Sequence, residues 1–226
     1  MKLIYILFIF IATLLAAACN DSSNGIDANI ALNGKFEGNI NSDVEKINPE
    51  TCIRWVQNPE NGLRKEKIID DLVFHAQYKP HEYIVCLEER KSEIADSVLA
   101  KKVNELSDMQ YFDLKIVLKN EQGELLKHNL NSQDQYDKRV NYFSFNMQQD
   151  IQLVEGNDTI PCSLFHFERA YDVTPFSTFL LGFEKSSSSN QHDKTLIVYD
   201  KTFNKGLIKF TFKKEELQKL PKIKTI

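Results

Sequence analysis

The chain has 226 residues, with 28 Lys+Arg against 32 Asp+Glu and a formal charge of −4; it is 42% hydrophobic and 27% charged. So much apolar material excludes a wholly disordered chain, and the mild acidity excludes a basic nucleic-acid binder. The length fits one domain or two small ones.

Met1-Lys2 opens onto a continuous apolar run, Leu3–Ala18, reading LIYILFIFIATLLAAA. At 16 residues the run has the length of a signal-peptide core plus its cleavage region and is short for a spanning helix. It ends in Ala16-Ala17-Ala18-Cys19, with Asn20-Asp21-Ser22-Ser23 directly after. Small residues before a cysteine at the end of an apolar run resemble the bacterial lipoprotein signal, although Ala16 stands where that signal usually has Leu. The resemblance implies cleavage between Ala18 and Cys19 and a lipid anchor on Cys19, with palmitate among its acyl chains. Residues 1–18 are then signal peptide. No later segment of the sequence is long and apolar enough to span a bilayer.

Residues 19–48 are rich in Asn, Asp, Ser and Gly, with single scattered apolar residues and no period. They read as a flexible tether. A globular body is expected over 49–226, with a change of texture near 150 where a subdivision would fall. Cys52–Val56 reads as a short strand closed by the turn-like Asn58-Pro59-Glu60-Asn61-Gly62. Ile68–Tyr78 reads as an extended run with Phe74, Ala76 and Tyr78 on one face. Pro80 fits the first turn of a helix, while Tyr83–Leu87 suits helix or strand. Ser92–Leu106 carries apolar residues at helical spacing. Tyr111–Lys119 alternates as a half-buried strand, with Phe112, Leu114, Ile116 and Leu118 on one face.

Ser132, with Gln135 three residues on, is a capping-box pattern. Tyr136, Val140, Phe143 and Met147 then form one apolar helical stripe. From 150 onward strands are expected at Ile151–Glu155, Cys162–Ala170, Phe179–Phe183, Leu196–Tyr199 and Leu207–Phe212. A short helix, Lys214–Leu220, closes the chain before Pro221. The predicted class is α+β: an antiparallel meander in the C-terminal half, with two or three packed helices in the middle third.

Candidate chemistry is sparse. Three cysteines remain after Cys19, namely Cys52, Cys86 and Cys162. They allow at most one internal disulfide from three pairings, or three buried thiols acting as small hydrophobes. No zinc spacing, Walker loop, dinucleotide fingerprint or nucleophile elbow occurs, so no catalytic residue, metal or cofactor is assigned. On the strand expected from 162, Cys162, Leu164, His166 and Glu168 share a face. Cys162 and His166 would lie roughly 13 Å apart along it, too far for direct proton transfer. The run from Phe165 to Phe176 is dense in aromatics and suits a core strand leading into a Pro turn.

The long Ala-ended signal, the Asn/Ser/Asp tether and the Asn- and Lys-rich body are similar to cell-envelope lipoproteins of Bacteroidota. The likeness is strongest around HFERAYDVTPFSTFLLGFE (166–184) and FKKEELQKLPKI (212–223). It implies a lipid-anchored envelope protein, most simply at the outer membrane, with the membrane and unidentified envelope proteins as partners and no nucleic acid. A single acid, Asp21, follows Cys19 where surface-exported members carry an acidic cluster, so the sequence favours neither face of that membrane. The O-glycosylation acceptor of that phylum (Asp, then Ser or Thr, then a small or apolar residue) resembles Asp158-Thr159-Ile160, in an expected turn, and Asp96-Ser97-Val98, in an expected helix. Thr159 is therefore the better candidate. Two roles are compatible with this reading: a non-enzymatic binding or assembly module, and a hydrolase of peptide or glycan whose acids meet only on folding.

Overall fold

A computed structural model describes residues 46–120, 123–169, 174–186, 189 and 191–226. The first element is a helix, α1 (Pro49–Gln57). The Asn48 side chain accepts a hydrogen bond from the Thr51 amide at 2.8 Å, and Pro49 fills the first helical position. The strand expected over Cys52–Val56 is thus helical. Cap and proline start the helix, and Cys52 and Val56, four residues apart, bury one of its faces. A 3₁₀ turn, Pro59–Asn61, ends at Gly62 with φ of 80°.

The extended run from Ile68 contains a reversal. Strands β1 (Arg64–Ile69) and β2 (Leu72–Lys79) form a hairpin whose loop holds Asp70 at φ 55°. Leu72, Phe74 and Ala76 point into the core, and the Tyr78 ring meets Phe112 and Phe212 there. Helix α2 (His81–Glu89) follows with Pro80 at its N-cap, which decides the helix-or-strand alternative at Tyr83–Leu87. Helix α3 (Asp96–Leu106) starts later than Ser92, because Ile94 is held in a parallel bridge to Thr225. Strand β3 (Met109–Leu118) alternates as expected, with Phe112, Leu114, Ile116 and Leu118 buried.

The connector from β3 carries a 3₁₀ turn (Leu125–Lys127) and helix α4 (Gln133–Asn141). Ser132 Oγ accepts from the Gln135 amide at 3.3 Å, while the Gln135 side chain accepts from the Asn131 amide at 2.9 Å. The box therefore closes one residue before the cap. The helical path continues as a π turn (Tyr142–Asn146) and a 3₁₀ turn (Met147–Asp150). The apolar stripe faces the core along its length: Phe143 and Met147 are buried, and Tyr136 and Val140 pack on the same cluster. The Phe143 ring meets Phe179 at 5.0 Å and Phe167 at 5.6 Å, both edge-on.

Strands β4 (Ile151–Glu155), β5 (Asp158–Glu168), β6 (Phe176–Glu184), β7 (Lys194–Asp200) and β8 (Gly206–Phe212) precede the short helix α5 (Lys214–Leu217). All eight strands form one antiparallel sheet in the order β1-β2-β3-β6-β5-β4-β7-β8. The fold is α+β. Strands β4 to β6 form a meander, and the chain then crosses back to lay β7 beside β4. The sheet curls until its edges, β1 and β8, approach each other, held by Lys65–Glu216 at 2.8 Å near one end and Lys205–Asp70 at 2.8 Å near the other. The result is a nearly closed barrel filled by side chains, Phe74, Phe112, Phe179, Phe183, Phe210 and Phe212 among them. The connector 125–150 covers the end where β3 finishes and β4 starts. A second core, built on Cys52, Val56, Leu63, Tyr83, Val85 and Cys86, joins the helices at the opposite end. Ile47 pairs with Ile223 there, drawing the C-terminal segment beside the start of the body.

Inside the barrel at the helical end lies a charged pair. Lys194 and Glu155 are direct cross-strand neighbours, and both side chains are fully buried. The three ammonium donors reach Glu155, Gln110 and Ser189. The other Glu155 oxygen accepts from Gln110 at 3.2 Å and Ser186 at 3.1 Å. Burial lowers the Lys194 pKa, and the Glu155 carboxylate opposes that shift.

Two stability measurements check this packing. Phe143 is fully buried and Phe145 is 71% exposed. Phe143→Ala should cost about 3–5 kcal/mol in urea denaturation, and Phe145→Ala under about 0.5 kcal/mol. Lys194→Met leaves a buried carboxylate without its cation and should cost about 3–5 kcal/mol. Adding Glu155→Leu to that variant should recover most of the loss, whereas additive losses would contradict the pairing.

Candidate functional site

Cys19 lies outside the described residues. Thr159 is exposed, but it sits on a strand rather than in a turn: the loop is Gly156-Asn157, and Thr159 already pairs with Val154 on the β4–β5 hairpin. Ser97 is exposed in the first turn of α3.

Strand β5 changes phase where it meets β6. Cys162 pairs with Phe183 and Leu164 with Gly182, so Ser163 is an inserted bulge residue. Cys162 therefore faces the core with Phe183, whereas Leu164, His166 and Glu168 face outward. The shared face expected for Cys162 and His166 does not form. A β-carbon on Gly182 would come within 2.9 Å of the Leu164 and Met109 side chains, so glycine makes room for the bulged strand. Burial pushes the Cys162 thiol up to about 12, and its Sγ lies 3.1 Å from the Leu164 carbonyl oxygen, which accepts its hydrogen bond. Phe165 and Phe167 lie inside as expected, their rings 5.8 and 5.2 Å from Phe179. Ala170–Val173, from the same aromatic run, lie outside the described residues.

His166 and Glu168 belong to a wider surface, the convex side of β2, β3, β6 and β5. Register places Gln77, Asp113, Leu180 and His166 in one row across the four strands. The next row is His75, Lys115, Thr178 and Glu168. On the other side lie Lys79, Tyr111, Gly182 and Leu164. Most of these side chains are half-buried. Lys115 Nζ sits 3.5 Å from the centre of the Phe176 ring. Lys79 Nζ contacts both Asp113 oxygens at 3.1 Å.

Electrostatics on this face oppose charge. Burial raises the Asp113 pKa above the usual carboxylate range despite Lys79. Burial, reinforced by repulsion from Asp113, raises Glu168. Burial lowers His166 and also His75, the latter with help from Arg64. Sequence reasoning found His166 and Glu168 but missed Asp113 and Lys79. Alternation places Asp113 on the face opposite Phe112 and Leu114, and nothing local pairs it with a residue 34 positions away.

A concavity of about 450 Å³ lies beside the β4–β5 hairpin, lined by Gly156, His192, Asp193, Thr195 and Lys214. Asp193 accepts from the Lys213 side chain at 2.8 Å and the Lys214 amide at 2.9 Å, which hold its carboxyl below the usual range. Among the described residues no group of three His, Cys, Asp or Glu side chains is placed to hold a metal ion.

No protein-family model matches the chain, and no curated protein matches it. Among solved structures, a DUF4426 family protein from Pseudomonas aeruginosa PAO1 is similar at 11% identity over 66% of this chain and 91% of that one, with a TM-score of 0.29. At that score the likeness supports neither a shared fold nor a shared role.

The raised Asp113 pKa sets a pH dependence. The folded chain keeps this proton to higher pH than the unfolded chain. Its contribution to stability is therefore full below the unfolded value near 4 and is lost as pH rises through the folded value. The stability of the natural chain relative to Asp113→Asn should fall as pH is raised from about 4 to 7. Denaturation curves showing the opposite slope would mean that the Lys79 attraction outweighs burial.

Proposed function

We propose that this chain is a lipid-anchored protein of the bacterial cell envelope, held through Cys19, whose β-rich body is a non-enzymatic binding or assembly module. The Ala-Ala-Ala-Cys end of the apolar run supports the anchor. The observation that carries the binding role is the convex face of β3, β6 and β5. There Leu164, Leu180 and Phe176 alternate with His166, Asp113 and Lys115 at half burial. Protein-binding surfaces are enriched in aromatic side chains and set an apolar centre inside a polar rim, and Leu164, Leu180 and Phe176 supply such a centre here. The interior is packed with side chains, which leaves outer surface rather than a central cup as the binding element.

One observation favours the alternative, a hydrolase of peptide or glycan. Asp113 and Glu168 occupy the same face, and both carboxyls are held above their ordinary range, as a general acid requires.

The test has two arms. Cys19→Ala should abolish labelling by palmitate and move the chain from the membrane to the soluble fraction, or leave it with its signal uncleaved; unchanged acylation would refute the anchor. Cross-linking in the native envelope should capture partners that Leu180→Glu loses while its melting temperature is kept. Turnover of peptide or glycan that disappears in Asp113→Asn or Glu168→Gln would instead establish the hydrolase.

A further inference from the structure

The sequence leaves three cysteine pairings open, and the fold discriminates among them. Cys162 lies in the barrel core on β5, with the Leu164 carbonyl as its hydrogen-bond partner. Cys52 and Cys86 both lie in the other core, fully buried, on the packed helices α1 and α2. A hydrogen bond ties these helices together near the two thiols. Gln57, the last residue of α1, donates to the Tyr83 hydroxyl near the start of α2 at 3.1 Å. Cys52 lies five residues back from Gln57 and Cys86 three residues on from Tyr83. At a rise of about 1.5 Å per residue, those steps carry Cys52 and Cys86 roughly 7.5 Å and 4.5 Å along their helices from that contact. Both also face the shared core, Cys52 with Val56 and Cys86 with Tyr83. The two thiols lie close enough to perturb each other, which pushes the Cys52 thiol up and holds Cys86 below its ordinary value.

We propose that Cys52 and Cys86 are a disulfide-forming pair, which an external disulfide oxidant joins, linking α1 to α2. The structure holds them as free thiols. In the exchange the Cys86 thiolate attacks one sulfur of the oxidant, breaking its S–S bond and releasing one thiolate, which takes up a proton. The Cys52 thiol then loses its proton and attacks the Cys86 sulfur of the mixed disulfide, releasing the second oxidant thiolate. Two protein S–H bonds and one S–S bond are broken; one protein S–S bond and two oxidant thiols are formed. The protein is oxidised by two electrons and the oxidant reduced by two. Because both sulfurs are buried, exchange takes place during folding or while α1 is transiently open. The bond closes a loop holding the C-terminal part of α1, the β1–β2 hairpin and the start of α2, and so fastens α1 to α2. The pairing rests on helix geometry and not on where the protein resides.

The full-length chain, purified in reduced form and denatured, is refolded with oxidised and reduced glutathione. Remaining thiols are then alkylated and a non-reduced digest is mapped by mass spectrometry. The expected product is one cross-linked peptide joining Cys52 to Cys86, with Cys162 alkylated. Oxidised chain should melt roughly 5–15 °C above reduced chain. That difference should vanish in Cys52→Ala and in Cys86→Ala and persist in Cys162→Ala. Alkylation of both Cys52 and Cys86 after refolding, or a cross-link from either to Cys162 or Cys19, would overturn the assignment. Peptide mapping of the natural chain decides the matter even if a variant fails to fold.

Discussion

Lys194 and Glu155 face each other across β7 and β4 inside the curled sheet, and much of the barrel follows from that pairing. Side chains on a strand alternate, so a slip of one residue would turn Lys194 out and strand Glu155 without its cation. The register that joins them also places Leu153 opposite Leu196 and Ile151 opposite Val198, all four inside. Gln110 from β3 and Ser186 after β6 complete the hydrogen bonds, so the network ties both halves of the sheet together. Burying the pair costs desolvation that a hydrophobic pair would avoid. Its structural value lies in register, because only one alignment satisfies every donor and acceptor.

The same sheet has to manage two edges. Strands β1 and β8 carry Lys65, Glu66, Lys67 and Lys209, and charged edges discourage pairing with other chains. Ion pairs bridge the seam near both ends. At one of them Gly62 is essential: its φ of 80° suits glycine, and a β-carbon there would overlap the Glu216 side chain, 2.2 Å from its Cδ. Glu216 then lies against the turn, where it accepts from Lys65 and from the Lys213 amide. Closure of the barrel thus depends on a small residue outside the sheet as much as on the strands.

Filling the interior shapes the functional surface. With aromatic rings packed through the core, the chemistry of this body moves to the convex face, where a half-buried carboxyl such as Asp113 resists ionisation. The β5 bulge sorts one strand into two roles. It directs Cys162 to the core as an inert thiol and presents His166 and Glu168 outward. Glycine at 182 allows that bulge to lie against β6.

The elements that the sequence determined by itself are those whose signal is local and periodic. The stripe Tyr136/Val140/Phe143/Met147 survives a passage from α-helix to π turn, because the face and not the hydrogen-bond pattern is encoded. The alternation of 111–118 is of the same kind. Cys52–Val56 misleads because its β-branched and aromatic residues suit a strand. The Asn48 cap and Pro49 upstream, together with burial against α2, carry it into a helix. Whatever depends on partners distant in the chain was decided by tertiary structure alone. The phase change at Ser163 comes from pairing with β6, the burial of Lys194 from Glu155 and Gln110, and the meeting of Cys52 with Cys86 from two helices separated by a hairpin. Side-chain periodicity reports which way a residue faces within its own element, whereas what it meets there is fixed only when the sheet curls and the helices dock.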